Sequence, residues 1–155
     1  MERGPLLVGV IVLLIFVLPI AWAILRSNKK VNARKSLIKR LCESNGILAD
    51  TSTQIGNALL GLDTLNKKLF YTCLQNIESN FKVISLDGVT SLNLIEENYP
   101  SKKNILHVNI AINTAAESHL LSVYDDQDSH LVVTDPKACS HAARQWIDLV
   151  RPQLL

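Results

Sequence analysis

Apolar and polar positions follow three different rhythms along this chain. From Gly4 to Leu25 the sequence runs 22 residues without a charge. A bilayer core asks for about 20 predominantly apolar residues in helical form. The pattern therefore predicts a transmembrane helix over residues 5–25, with residues 1–4 as a short non-cytoplasmic N-terminus. A cleaved signal peptide is the rival reading, because Ala21-Trp22-Ala23 has the small-x-small form of a cleavage site. Two features oppose cleavage: the run exceeds the usual ~7–15 residue apolar region, and a dense basic segment follows at once. Pro19 is tolerated in a membrane helix, and Trp22 sits where an interfacial aromatic belongs.

A helical period replaces the continuous run between Ala33 and Asn45. Leu37, Ile38, Leu41 and Cys42 form one stripe, and Gly46 supplies a C-terminal stop. This helix suits either docking on the following domain or lying on a membrane surface as a basic amphipathic segment. From residue 47 the period drops to 2, which reads as strands. They are expected over 54–62, 67–74, 81–86, 89–96, 104–113 and 119–124, with 131–133 as a short last strand or a lead-in. Asp63 to Asn66 reads as a turn, and Asp87-Gly88 between apolar runs is a hairpin signal. Residues 104–113 alternate most strictly: Leu106, Val108, Ile110 and Ile112 point one way and His107, Asn109, Ala111 and Asn113 the other.

The helical period returns after Asp135-Pro136, a cap residue followed by proline at the first helical position. Ala138, Ala142, Trp146, Leu149 and Val150 make the expected packing stripe, which ends before Pro152. The fold class that results is α+β: a single N-terminal transmembrane helix, a bent antiparallel sheet or partial barrel, and a C-terminal amphipathic helix. Four segments follow: 1–4, the span 5–25, a basic juxtamembrane segment and helix over 26–45, and a cytoplasmic domain over 46–155.

Charge gives the layout a direction. The whole chain carries a formal net charge of +2, yet its two parts differ in sign. Arg26, Lys29, Lys30, Arg34, Lys35, Lys39 and Arg40 lie together with no acid among them, whereas residues 41–155 hold eight Lys/Arg against thirteen Asp/Glu, a net of −5. The positive-inside rule places the C-terminal side in the cytoplasm, so an inner-membrane, single-pass location is expected. Arg26, Lys29, Lys30, Arg34 and Lys35 are candidate contacts to anionic headgroups, each worth about 1 kcal/mol near such a surface. The acidic domain without basic-aromatic interleaving argues against nucleic-acid binding. Cys42, Cys73 and Cys139 are odd in number and widely spaced, as reduced core thiols are.

The segments NALLGLDTLNKKLFYTC (57–73), VISLDGVTSLNLIEEN (83–98), ILHVNIAINT (105–114) and HAARQWIDLV (141–150) resemble bacterial pleckstrin-homology-like (PH-like) domains of unknown function. The likeness covers roughly residues 46–155. It implies a strand meander closed by a C-terminal helix, and it implies binding rather than catalysis. Folds of this kind commonly take peptides by strand addition between an edge strand and that helix.

Candidate chemistry is sparse. Asp125, Asp126 and Asp128 lack the glycine and distal glutamate of a calcium loop and read as a solvated loop. His107, His119, His130 and His141 fall on different elements. Lys102-Lys103 occupies a loop where some PH domains hold phosphoinositide headgroups, with Glu96 and Glu97 close by. Neither a nucleophile elbow nor a phosphate-binding loop is present, so no catalytic, cofactor or metal residues are expected. The function expected is a non-enzymatic, membrane-held protein-interaction module, an adaptor or accessory subunit with a protein partner. The alternative is a module that binds or senses anionic lipid.

Overall fold

The computed structural model describes residues 16–17, 19, 29, 31–100, 104–127 and 135–154. The chain divides into two units, 1–39 and 40–155. Residues 31–44 are helical (α1). The helix stops through paired carbonyl closures: the Ile47 N–H donates to the Cys42 carbonyl at 2.9 Å, and the Gly46 N–H to that of Glu43 at 3.2 Å. Cys42 and Ile47, at the two ends of the 2.9 Å bond, are both buried, the apolar contact that accompanies such an ending.

The expected single-pass fold class is corrected here. Among the described residues no helix is long and apolar enough to cross a membrane. Helix α1 carries Arg34, Lys35, Lys39 and Arg40. The C-terminal helix has 15 residues and spans about 22 Å, short of a hydrocarbon core of about 30 Å. Apart from Phe16, Val17 and Pro19, the stretch 5–25 lies outside the described residues.

Unit 40–155 is an α+β fold with two antiparallel sheets and a C-terminal helix. The first sheet has the order β1 (Thr51–Ile55), β2 (Ala58–Asp63), β3 (Lys68–Cys73), β4 (Lys82–Ser85). The second comprises β5 (Val89–Asn98), β6 (Ile105–Thr114) and β7 (Ser118–Asp125). Helix α2 (Pro136–Val150) and a 3-10 turn over Arg151–Leu154 complete it. The second correction concerns the sheet, which is not one bent meander but two separate sheets.

Two turns explain the difference. The expected first strand, 54–62, is a hairpin in which Ile55 pairs with Ala58 across Gly56-Asn57. Gly56 has φ +57, and Asn57 is not in the positive region. That is the II′ pattern, whose twist suits paired strands. At Asp87-Gly88 the positive φ of +82 falls on the second central residue, and the Val89 N–H closes on the Leu86 carbonyl at 3.3 Å. That is the type II pattern, which splays the flanking strands. The chain therefore turns there as expected, but β4 and β5 do not pair.

The main core lies between the sheets and under α2. Leu60, Leu62, Leu69, Val108, Ile110, Ile112, Leu121, Ala143 and Val150 are its least exposed members. A second buried group covers the opposite face of the first sheet. Phe70 stacks on Phe81 at 5.5 Å, and Thr72 donates to the Ile77 carbonyl at 2.9 Å. The matching face of the second sheet is bare enough to leave Ile95 and Leu120 exposed. The possible strand at 131–133 lies outside the described residues; the seventh strand is β1.

Candidate functional site

Helix α2 begins as its sequence indicates. Asp135 caps it, its carboxylate accepting from the Lys137 N–H at 3.1 Å, and Pro136 opens it. The buried stripe is Cys139, Ser140, Ala143, Trp146, Ile147 and Val150. Of the expected packing residues, Trp146 and Val150 are buried and Ala142 is half-buried, while Ala138 and Leu149 are exposed. The stripe is rotated by one position because Cys139, Ala143 and Ile147 take the inward place. Their spacing was as visible as that of the alanines, but a cysteine gives a weaker apolar signal.

The helix is pinned to β5 by a polar tie. Glu96 Oε1 accepts from the Ser140 hydroxyl at 2.5 Å and from the Arg144 guanidinium at 2.7 Å. The Ser140 bond, then the Arg144 bond, hold this carboxyl below the usual carboxylate range. Four strands bound the sheets, and their outer edges differ. Strand β4 has four residues and β1 five. At β7 the Tyr71 hydroxyl donates to the Ser122 carbonyl at 2.9 Å, and Gly56 lies so close to the Val123 carbonyl that any Cβ would collide with it. Strand β5 has ten residues and among the described residues pairs only with β6. Register shifts between Val89 and Ser91 and between Glu97 and Asn98 leave Ser91–Glu97 regular, beside α2.

A second concave feature lies on the seam between β3 and β7. Val108 pairs with Tyr124 but Asn109 pairs with Ser122, so Val123 is an extra residue in β7. Such a bulge changes which residues face inward, and Val123 and Tyr124 are consequently both buried. Beside it opens a pocket of about 310 Å³ lined by Asn57, Tyr71, Cys73, Ser122, Val123, Tyr124, Asp125 and Gln127. Burial pushes the Tyr71 hydroxyl up to about 12. Burial, aided by the bond to Asp126, pushes Tyr124 up to about 12 as well. Asp126 accepts from Tyr124 at 2.9 Å and from Tyr99 at 2.8 Å. Asp125 stands 3.1 Å from His107 Nδ1 and accepts from the Gln127 N–H at 2.9 Å. All three tyrosines of the chain thus gather on this seam. Periodicity placed Tyr71 and Tyr124 on different strands with nothing to bring them together; the two-sheet topology does so.

The other candidates are placed as follows. Lys29, Arg34 and Lys35 are helical and exposed; Arg26 and Lys30 lie outside the described residues, as do Lys102, Lys103, Asp128 and His130. His119 stands 3.5 Å from Glu117, and His141 is on the exposed side of α2. Asp125 and Asp126 are tied into the seam rather than simply solvated. Among the described residues no group of three or more His, Cys, Asp or Glu is set to hold a metal ion.

By architecture this unit, with seven strands among the described residues, is a two-sheet α+β domain closed by a C-terminal helix. Comparison of the chain with protein-family models, with curated proteins and with solved structures returned no match.

Proposed function

We propose that unit 40–155 is a non-enzymatic protein-interaction module of the PH-like type, an adaptor or accessory subunit that takes an extended partner segment along β5. The resemblance over 57–73, 83–98, 105–114 and 141–150 implies consecutive antiparallel strands followed by one C-terminal helix, and two antiparallel sheets followed by α2 are compatible with it. One observation carries the reading: β5 is the longest edge strand among the described residues, and its regular stretch Ser91–Glu97 is tied to α2 through Glu96. An extended chain added there would gain main-chain hydrogen bonds from β5 and side-chain contacts from α2. Charge supports a place of work at an anionic, cytoplasmic membrane face, since the basic residues between Arg26 and Arg40 contrast with the acidic remainder.

The test is hydrogen exchange on the full-length chain with peptides selected against it. Slowed exchange at residues 91–97 is expected. Protection confined to β1 or β4, or none at any edge, overturns the reading. The same chain mixed with anionic vesicles separates the alternative: flotation lost on neutralising Lys29, Arg34 and Lys35, with no peptide protection at β5, would favour a lipid-binding module.

A further inference from the structure

We propose that the seam pocket between β3 and β7 binds an organic monocation, a primary ammonium or guanidinium group, through Asp125 and the phenol rings of Tyr71 and Tyr124. This site is separate from the β5 edge and stands or falls without it.

Shape comes first. At about 310 Å³ the pocket lies at the small end of ligand sites, roughly 300–1,000 Å³. That suits one charged side-chain-sized group and little more. It is a consequence of the fold, not a gap in packing. The Val123 bulge turns Tyr124 inward, the Tyr71–Ser122 bond holds the two sheets apart at a set distance, and Gly56 closes one end of the seam.

Charge decides the ligand. Asp125 is the only acidic or basic residue among the eight that line the pocket. Both tyrosines keep their protons at neutral pH, so they add no charge but offer ring electrons that attract a cation. Asn57, Ser122 and Gln127 supply neutral polar groups at the rim. Asp126 stands directly behind, holding two tyrosine hydroxyls. An anion would meet net negative charge with no lysine or arginine among the described lining residues. An apolar ligand would take water from the Asp125 carboxylate and offer it no donor in return, which is costly. His107 neutralises Asp125 only when it is itself protonated, and its 3.1 Å contact engages one carboxylate oxygen, Oδ1, the same one that takes the Gln127 N–H. Among the described residues the other oxygen, Oδ2, takes neither of these contacts and faces a ligand donor.

The experiment titrates the full-length chain with methylguanidinium, with its neutral isostere methylurea, and with a capped tripeptide carrying arginine or citrulline. Ring resonances of Tyr71 and Tyr124 are followed by NMR. Saturable shifts with the cationic members, and roughly ten-fold weaker ones with the neutral members, are expected. Asp125→Asn weakens cation binding by about ten-fold, and Cys73→Leu, which fills the pocket without changing its charge, abolishes it. Glu117→Gln, an acidic change on the β6–β7 turn, leaves binding as it was. Tighter binding of the arginine tripeptide assigns the site to a partner's side chain, and parity with methylguanidinium assigns it to a free small cation. Either outcome supports the site. Equal response to methylurea, no saturable shift, or unaltered binding in both Asp125→Asn and Cys73→Leu overturns it.

Discussion

Gly61 has no side chain because the Phe70 ring occupies the place where one would stand. Phe70 pairs with Gly61 across β2 and β3, so the ring lies over its own cross-strand partner. Gly61→Ala should lower stability by about 1–3 kcal/mol through overpacking, seen as a lower denaturant midpoint with an unchanged slope. Asp63 shows a different kind of specificity. It is fully buried, and its carboxylate accepts from the Leu48 N–H at 2.7 Å and from Asn66 through both its backbone, 2.9 Å, and its side chain, 2.8 Å. Burial pushes this carboxyl up, but the bonds from Asn66, Leu48 and Leu65 outweigh it and the net direction is down. A carboxyl whose folded value lies below its unfolded one contributes stability that is present above the unfolded value, ~3.9 for Asp, and is lost as pH falls through the folded value. Stability should therefore decline below about pH 4, and Asp63→Asn should flatten that decline in denaturant midpoints taken across pH. The tyrosines give the opposite sign. With Tyr71 and Tyr124 both raised to about 12, their contribution holds below ~10 and is lost as pH climbs toward 12. An absorbance titration should show their phenolate steps only there. The sequence showed Asp63 as the start of a turn, and it closes β2 just before that turn; its burial depended on Leu48 and its neighbours folding back onto it.

At the scale of elements, α2 was the most legible part of the chain. Asp135 and Pro136 announce its start by local chemistry alone, and the cap bond is there. Asp135→Ala should cost about 1 kcal/mol. The inward face was less legible, since a stripe drawn through Ala138 and Leu149 differs by one residue from one through Cys139 and Ala143, and only the partner sheet chooses between them. Trp146 belongs to both. Trp146→Ala should cost about 3–5 kcal/mol. The indole N–H is buried without a hydrogen-bond partner among the described residues, so Trp146→Phe should cost a small fraction of that, because an unsatisfied donor is removed along with packing. Thermal or chemical unfolding of the pair of variants measures the difference. For the strands, alternation located β3 to β7 within one or two residues. It missed the break at Gly56-Asn57, where the apolar run Ala58–Leu60 hid the turn. It also gave no sign that Val123 and Tyr124 are both buried, because a bulge shifts the period by one and leaves no mark in composition.

Over the whole molecule, unit 40–155 should unfold in one cooperative transition. A chain beginning at Arg40 should keep that transition. One beginning at Ala49 loses Cys42 and Ile47, 7% and 2% exposed, and should be less stable by about 2–4 kcal/mol, which calorimetry would register as a lower Tm. The sequence by itself determined the α+β class, the helix stop at Gly46, the turn at Asp87-Gly88, the core face of β6 and the start of α2. Each depends on neighbours within one or two turns of chain, where backbone sterics, capping and the periods of 2 and 3.6 operate. It did not determine that β4 and β5 part into two sheets, that Tyr71, Tyr99 and Tyr124 meet around Asp125 and Asp126, or that β5 keeps an edge beside α2. Those features depend on contacts between residues far apart in sequence, such as Tyr71 with Ser122 and Glu96 with Ser140. No local preference encodes such contacts, and only the closing of one sheet over the other creates them.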